Sequence, residues 1–223
     1  MVNFMSKKPR DEQKTKKEQV AEWLRDTIIA GELEPGERLL QDELAERFAV
    51  SATPIREAIQ LLVAEGVLSH SPYKGVQVAE VQMDDVREVY LIRCELEALA
   101  TRFAVPNLRL AEVKQLHELQ KTIESHVRDH DLQPLRKLNY DFHMIIYHAA
   151  EMPLLYNMIR SLWTRFPWDT LHVLPDRAGN STQEHLKILA AIDDVNPEMA
   201  GAAMREHVET GMKALGAYLS GQK

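Results

Sequence analysis

AVSATPIREAIQLL, residues 49–62, is the stretch that decides how the N-terminal part of this chain folds. Ser51 belongs to the residue types that cap helices, and Pro54 fits a first helical turn, where its missing amide would have no partner anyway. Four apolar residues then recur at helical spacing and predict one buried face: Ile55, Ala58, Ile59 and Leu62. Helical geometry places Arg56 and Gln60 together on an exposed face. The stretch therefore predicts an amphipathic helix whose polar side faces outward.

Two further helices are predicted before this helix, and a β-hairpin after it. Apolar residues recur at helical spacing on both sides of the Pro-Gly turn in ELEPGER, residues 32–38. The segment VLSHSPYKGVQVAEV, residues 67–81, is β-branched and interrupted by Pro72 and Gly75, which indicates two short strands. Three helices followed by a hairpin form a winged helix-turn-helix, whose second motif helix enters the major groove of DNA.

Beyond about residue 80 the apolar pattern is helical throughout. The predicted helices span residues 84–104, 107–129, 132–150, 153–168, 181–194 and 197–220. We expect a mostly α chain in three parts: a basic flexible arm (1–17), a winged helix-turn-helix domain (18–80) and an all-α helical bundle (81–223).

Charge is distributed unevenly along a chain whose formal net charge is −7. Residues 1–17 carry six Lys or Arg and two Asp or Glu, whereas residues 18–80 carry five basic and twelve acidic residues. Because phosphate neutralisation supplies non-specific affinity for DNA, one such domain alone should bind DNA weakly, and dimerisation should strengthen the binding. The arm is either a solubilising tail or a phosphate contact, and the sequence leaves both open.

Neither a membrane span nor a secretory signal is indicated. The sequence has no run of about 18 apolar residues, and no apolar segment follows the basic start of the chain. The single cysteine, Cys94, cannot form an internal disulfide, which fits a reducing compartment. We therefore expect a cytoplasmic protein with no membrane partner.

Residues 28–78 closely resemble the N-terminal domain of the GntR family of bacterial transcription regulators. The shared features are a G-x-L-x-P-G-x-x-L turn, an E-L-A-x-x-F-x-V-S-x-T-P-x-R-E-A core, an E-G helix end and a glycine in the wing. The resemblance implies that Ser51 and Thr53 are phosphate or cap residues and that Arg56 contacts DNA. It also implies that Gly75 lies where the wing approaches the minor groove.

Ala52 departs from the family pattern, which usually has an arginine there as a direct reader of guanine. Losing a bidentate guanine contact should remove about 1–3 kcal/mol of discrimination at that base pair. Either the operator differs at this position, or specificity shifts to Arg56, Gln60 and the wing.

Inward-facing polar residues in the C-terminal part form a second candidate site. Asn139 and His143 are four residues apart and share one face of a predicted helix, whereas Asp141 lies on the other side. His185 and His207, on later helices, can also reach inward. Three imidazoles and one oxygen donor would suit zinc or another divalent transition ion with positions left open. On spacing alone, a single inward histidine is more often a hydrogen-bonded core residue than a metal ligand.

Residues 85–215 resemble the FCD ligand-binding domain of the FadR subfamily within the GntR family. The matching stretches are IRCELEALATRFA, NYDFHMIIYHAAEMP and EHLKILAAI. The resemblance implies a metal site of Asp or Asn and three His, which maps onto Asn139, His143, His185 and His207. Zinc is the expected metal, with nickel or manganese as alternatives, and the neutral amide of Asn139 should bind a cation less strongly than a carboxylate. The open metal positions would accept the carboxylate of a small organic or sugar acid.

Arg93 resembles a family position that faces this pocket, where it would pair with the carboxylate of the effector. The alternative is a salt bridge with Glu97, four residues further along the same helix. The sequence leaves both interpretations open.

The function expected from these features is that of a ligand-responsive transcription regulator, a repressor that binds a palindromic DNA operator as a homodimer, and not that of an enzyme. One alternative is a metal-dependent hydrolase in which Glu184, next to His185, would act as the general base. Another is a regulator whose histidines bind the ligand directly, without a metal.

Overall fold

The computed structural model describes residues 14–71, 75–80, 83–165 and 174–221. Its elements in chain order are α1 (Lys16–Ala30), α2 (Gln41–Phe48), α3 (Ala52–Ala64), β1 (Leu68–Ser71), β2 (Gly75–Val78), α4 (Met83–Ala104), α5 (Leu110–Arg128), α6 (Leu135–Ala149), α7 (Pro153–Arg165), α8 (Pro175–Asp193) and α9 (Pro197–Gly221). The predicted fold class, a winged helix-turn-helix followed by a helical bundle, is confirmed. Among the described helices, none combines the length and apolarity needed to cross a bilayer.

The first helix begins inside the predicted basic arm. Thr15 caps α1 because its hydroxyl accepts from the Glu18 amide at 3.3 Å, while the Glu18 carboxylate accepts from the Thr15 amide at 2.7 Å. Such reciprocal pairing satisfies two amides that a helix start would otherwise leave open. Lys16 and Lys17 therefore belong to α1, and residues 1–13 of the arm lie outside the described part of the chain.

Helix α3 packs its apolar side against α1 and α2, as the periodicity predicts. The buried residues of this core include Leu24 and Ile28 of α1, Leu44 of α2, and Ile55, Ala58, Ile59 and Leu62 of α3. Each leucine or isoleucine side chain contributes about 1.5–3 kcal/mol when fully buried. At the far end of α3, Arg25 of α1 donates from Nε and Nη2 to the Glu65 carboxylate at 3.2 and 2.7 Å. This ion pair ties the two helices together at the end where α3 stops.

The predicted hairpin is present as an antiparallel pair of strands. Leu68 pairs with Val78, and Ser71 pairs with Gly75 at the opposite end of the pair. Gly75 has φ 77°, a conformation that side chains with a Cβ rarely adopt, so a glycine suits this position of the wing. An isolated bridge between Arg38 and Gln77 connects the wing to the segment that precedes α2.

The helical bundle is built around the long pair α4 and α9. Gly201 permits their close approach, because a Cβ there would lie 2.5 Å from Arg102 Cγ and 3.0 Å from the Ala98 carbonyl oxygen. On the exposed side of the same pair, Arg205 of α9 forms an ion pair with Glu95 of α4. The core that these helices share with α6 and α8 includes Phe142, Ile146, Tyr147, Ile188 and Met204.

One helix start differs clearly from the prediction. Helix α8 begins at Pro175, whereas the sequence pattern placed its start at residue 181. The Gly179-Asn180 pair has weak helix propensity and resembles a turn, but Arg177, Ala178 and Ser181 are buried, so tertiary packing overrides local propensity. Proline at the first helical position removes no needed hydrogen bond.

The two cores meet on α1. Ile28 is buried in the winged-domain core, whereas the next residue, Ile29, is buried in the core of the bundle. Arg136 of α6 donates to the Ile28 carbonyl oxygen at 2.7 Å. Arg160 of α7 has its Nη2 3.3 Å from a Glu22 carboxylate oxygen and 3.4 Å from an Asp26 carboxylate oxygen of α1. Two arginines of the bundle thus hold the first helix of the winged domain.

Candidate functional sites

The outer face of α3 carries the side chains expected to meet DNA. Ser51, Thr53, Arg56 and Gln60 are all exposed, and Ala52, the first residue of the helix, is partly buried. Ser51 occupies the N-cap position with an extended backbone, but its hydroxyl makes no capping hydrogen bond. The exposed Arg56 side chain donates from Nε to the Gln41 side-chain oxygen at 3.4 Å. These polar groups are accessible for contacts to phosphates and base edges.

Three histidines from three helices converge inside the bundle. His143 of α6, His185 of α8 and His207 of α9 each offer a ring nitrogen within 4.8 Å of the others. All three side chains are buried, and the Nε2 atoms of His143 and His207 are 3.1 Å apart. Helical spacing predicted that each histidine can face inward from its helix, and the structure brings all three together.

The environment of His185 fixes which of its nitrogens carries the proton. His185 Nδ1 lies 3.1 Å from the side-chain oxygen of Gln120 on α5. The amide nitrogen of Gln120 already donates to a Glu124 carboxylate oxygen at 2.8 Å and to the Thr182 carbonyl oxygen at 3.1 Å. The Gln120 oxygen must therefore accept from His185 Nδ1–H, which leaves Nε2 with a free lone pair.

The other two histidines are oriented in the same sense. His207 Nδ1 lies 2.7 Å from a carboxylate oxygen of Glu184, which can only accept. His143 Nδ1 lies 3.0 Å from the Tyr147 hydroxyl oxygen, and that hydroxyl donates its own proton to Glu97. Both rings therefore carry their proton on Nδ1, so all three Nε2 atoms of the cluster are acceptors.

Burial keeps these rings neutral. It lowers the pKa of His143 and of His185 well below the ordinary histidine value, and the neighbouring histidines and arginines lower it further. Burial also lowers the pKa of His207, although the Glu184 carboxylate opposes this shift. Neutral imidazoles with free lone pairs are the form in which histidine binds metal ions.

The buried nitrogen and oxygen acceptors of this region suit a cation. His185 Nε2 and Asn139 Oδ1 are buried and make no hydrogen bond within the part of the chain that the structure describes. Facing lone pairs on His143 and His207 repel each other unless a proton or cation lies between them. Buried acceptors without partners are rare in folded proteins, and a cation bound between the three histidines would satisfy their Nε2 atoms. Asn139 lies one turn before His143 on α6 and is buried, whereas Asp141 is partly exposed and pairs with Lys137.

Arg93 forms the salt bridge that the sequence offered as its alternative role. Its Nε donates to a Glu97 carboxylate oxygen at 2.6 Å, and the guanidinium carbon lies 4.3 Å from the centre of the Trp163 ring. Because Glu97 also accepts from Tyr147, the partner of His143, Arg93 is connected to the histidine cluster through a chain of three hydrogen bonds. A contact between Arg93 and an effector stays a prediction.

Several residues around the histidine cluster were not predicted from the sequence as part of the site. Gln120 lies between the buried apolar residues Leu116 and Ile123 of α5, and a polar residue within an apolar stripe is a signal that could have identified it. Tyr147 follows His143 by four residues, a spacing that places both on one helix face. Arg177 lies in the segment interpreted as a loop and carried no such signal.

Glu184 does not have the geometry of a general base. Its Oε2 atom accepts from His207 Nδ1 at 2.7 Å and from Arg177 Nη2 at 2.6 Å. The arginine and the histidine lower the pKa of this carboxyl below its ordinary value, although burial alone would raise it. Glu184 therefore orients His207 from behind and is not placed to accept a proton from a water in front of the cluster.

Comparison with known proteins agrees with both parts of the architecture. The model of the gntR family of bacterial regulatory proteins matches residues 16–78, and the FCD domain model matches residues 88–210. The HTH-type transcriptional regulator McbR of Escherichia coli K12 is 34% identical over 191 residues, which cover 86% of this chain and 76% of that protein. The HTH-type transcriptional repressor RspR of the same strain is 26% identical over 196 residues, covering 86% and 85%.

Solved structures give the same result. The structure of E. coli McbR superposes with a TM-score of 0.80 at 31% identity and covers 94% of this chain and 99% of its own. A GntR protein from Rhodococcus sp. RHA1 superposes with a TM-score of 0.72 at 25% identity, covering 92% and 100%. The relatives are transcriptional regulators, which confirms the prediction that the chain is not an enzyme. This chain therefore belongs to the GntR family of bacterial regulatory proteins and is a transcriptional regulator with an FCD domain.

Proposed function

We propose that this regulator is a homodimeric repressor whose affinity for a palindromic operator depends on a small organic or sugar acid bound at a divalent metal in the bundle. The observation that carries the proposal is the convergence of three unprotonated histidine nitrogens, each fixed from behind by a hydrogen-bond partner. A repressor role is supported by the relative RspR, which is named a repressor.

The proposed DNA contacts lie at the start of α3. Ser51 and Thr53 would bind phosphates, and Arg56 and Gln60 would read base edges in the major groove, since these side chains are exposed on one side of the helix. Gly75, the first residue of β2, would allow close approach to the minor groove. Two copies in a dimer would contact half-sites about 34–36 Å apart, which compensates for the weak phosphate attraction of an acidic chain.

The experiment for the DNA interface is fluorescence anisotropy with labelled intergenic DNA from upstream of the gene. Arg56→Ala should weaken specific binding at least tenfold, since each half-site loses a contact worth about 1–3 kcal/mol. Arg87→Ala is the matched control, because Arg87 is exposed on α4 and its loss changes the net charge equally. Near-normal affinity of Arg56→Ala would contradict the proposed interface. Light scattering of the free and DNA-bound protein tests the dimer.

Ala52 is proposed as the position where this regulator reads a different base from its relatives. Ala52→Arg should shift the preferred base at one position of each half-site toward guanine, because a bidentate contact becomes available. Selection of binding sites from a random pool, carried out with both proteins, would reveal the shift. Identical selected sites would argue against a base contact at residue 52.

Asn139, His143, His185 and His207 are the proposed metal ligands. Nitrogen-rich donor sets suit zinc, and nickel or manganese are the alternatives. When bound, the metal would supply a positive anchor for the effector's carboxylate. The chain's own contribution is to keep three imidazoles neutral by burial and to orient them through Gln120, Glu184 and Tyr147.

Elemental analysis of protein purified without a histidine tag tests the metal proposal. Wild-type protein and His148→Ala should contain about one metal ion per chain, whereas His185→Ala should contain almost none. His148 is the matched control because it is exposed on α6, the helix that carries His143. Absence of stoichiometric metal in the wild-type protein would contradict the proposal and favour direct hydrogen bonding of the ligand by the histidines.

The contacts on α1 are the proposed route from the bundle site to the DNA-binding domain. The ring of Trp163 lies 5.2 Å from that of His143 and 5.7 Å from that of Tyr140. Arg160 donates to the Tyr140 hydroxyl oxygen and pairs with Glu22 and Asp26 of α1. A shift of Trp163 on effector binding would reach α1 through these side chains. Arg160→Met should then reduce the effect of the effector on operator affinity more than it changes effector affinity itself.

A further inference from the structure

Arg56 on α3 has a hydrogen-bond partner from another helix. Its Nε donates at 3.4 Å to the side-chain oxygen of Gln41, the first residue of α2. Within the part of the chain that the structure describes, no carboxylate forms an ion pair with Arg56, although Glu57 follows it directly. The partner of this arginine is therefore a neutral amide.

A neutral partner leaves the positive charge of Arg56 available for DNA. The other two arginines on the three helices of the winged domain are differently engaged. Arg25 pairs with the Glu65 carboxylate. The guanidinium carbon of Arg47 lies 4.2 Å from the centre of the Trp23 ring. An arginine in an ion pair must give up a charge-assisted bond before it can contact DNA, whereas Arg56 exchanges only a bond to a neutral oxygen.

The backbone is fixed at both ends of the contact between Gln41 and Arg56. Ile55, next to Arg56, is 0% exposed, and Leu44, three residues after Gln41, is buried in the same core. A long exposed arginine otherwise occupies many rotamers, and ordering it on binding costs free energy. Because 3.4 Å is long for a hydrogen bond, Gln41 directs the side chain and still permits small adjustments when DNA binds.

The atom that Gln41 contacts decides which donors of Arg56 remain. A guanidinium carries one N–H on Nε and two on each terminal nitrogen. With Nε–H directed at Gln41, the free donors are those of Nη1 and Nη2, side by side at the tip of the side chain. Guanine presents two acceptors, O6 and N7, on its major-groove edge, whereas adenine presents one acceptor and one donor. A tip with two donors therefore favours guanine.

We infer that Gln41 is a positioning residue for base recognition, which holds Arg56 by its Nε–H so that Nη1 and Nη2 together contact O6 and N7 of a guanine in each half-site. This inference rests on the proposed function, in which Arg56 contacts DNA. It gives α2 a part in sequence discrimination, so that specificity at this base pair depends on two helices and not on α3 alone.

The test compares affinities for the operator and for its single base-pair variants, measured by fluorescence anisotropy with the full-length protein. The operator is first obtained by selection from a random pool, and the position at which Arg56→Ala loses its preference for guanine marks the contact. Gln41→Met keeps the length of the side chain but has no amide oxygen. It should lose about tenfold of the guanine preference at that position, while its affinity for unrelated DNA stays within about twofold of wild type. Full guanine preference in Gln41→Met would overturn the inference.

Two further variants separate positioning from structural support. Gln41→Glu keeps an oxygen acceptor for Nε–H, so it should retain the guanine preference, although its added negative charge weakens binding to every DNA sequence. Gln183→Met is the matched control, because Gln183 is exposed on α8 in the bundle, and it should behave as wild type. If Gln41→Met weakens binding to all sites by the same factor, Gln41 only supports α2 or a phosphate contact, and the inference is wrong.

The double variant of Gln41→Met and Arg56→Ala shows whether Gln41 acts through Arg56. In the Arg56→Ala protein, Gln41→Met should cause no further loss of base preference, and an additional loss would contradict the inference. The series also distinguishes the two possible failures. Wild-type affinity and preference in Arg56→Ala would refute the proposed DNA interface and the inference with it. Loss of preference in Arg56→Ala but not in Gln41→Met would refute the inference alone.

Discussion

Replacing Gln120 by leucine should weaken metal binding without removing a ligand. Gln120 is 2% exposed, and its side chain makes three hydrogen bonds, one of which fixes the proton of His185 on Nδ1. Leucine has a similar size but leaves His185 Nδ1–H buried without an acceptor, so the ring is no longer held with Nε2 facing the cluster. Loss of such a supporting partner typically lowers metal affinity about 10–100-fold.

The same change should also cost stability in the absence of metal. One buried donor left unsatisfied destabilises a protein by about 1–3 kcal/mol, so the free energy of unfolding of zinc-free Gln120→Leu should fall by that amount. Zinc affinity would be measured by competition with a chromophoric chelator, and stability by urea unfolding in EDTA. A tenfold change in affinity corresponds to about 1.4 kcal/mol, well within the resolution of both measurements.

Gln115→Leu is the matched control, because Gln115 is exposed on the same helix and its replacement changes composition in the same way. This variant should retain wild-type zinc affinity and stability. If Gln120→Leu folds fully and binds zinc within about twofold of wild type, Gln120 does not orient His185, and the tautomer argument for the cluster fails.

Three further outcomes are expected. Asn139→Asp should tighten zinc binding, by about tenfold if the added charge contributes about 1.4 kcal/mol, and weaker binding in the chelator competition would show that residue 139 is not a ligand. Ile59→Ala should lower the stability of the winged domain by about 2–5 kcal/mol in urea unfolding, since Ile59 is buried in its core, and a loss below 1 kcal/mol would place that side chain elsewhere. Zinc-free protein should lose stability as the pH falls below about 6.5, because the pKa values of His143 and His185 are lowered in the folded state and the unfolded chain then binds more protons. A melting temperature that does not change between pH 7.5 and 5.5 would contradict the burial of these rings as neutral imidazoles.

Local patterns in the sequence were sufficient to predict the winged domain. The buried face of α3 follows from the spacing of Ile55 and Ile59, and the wing from β-branched residues interrupted by Pro72 and Gly75. These features depend on neighbours within one element, where periodicity and turn chemistry decide the structure. The start of α8 was mispredicted because burial of Arg177, an effect of residues distant in sequence, outweighs the local turn pattern.

The candidate site in the bundle could be predicted only in part. Periodicity indicated that His143, His185 and His207 could face inward, but the angles and distances between three helices are not encoded in spacing. Their grouping was expected from family resemblance, and the structure supplies the distances. The supporting partners, Gln120 among them, depend on which helix lies behind each histidine, so they became visible only in three dimensions.

The division of α1 between two cores has a practical consequence for chimeric regulators. Ile28 packs with the winged domain and Ile29 with the bundle, and the bundle's Arg160 pairs with carboxylates of the same helix. A fusion made after residue 80 would separate α1 from these partners and leave Ile29 exposed at the new junction. Grafting this DNA-binding domain onto another sensor should therefore require redesign of the outer face of α1 together with the linker.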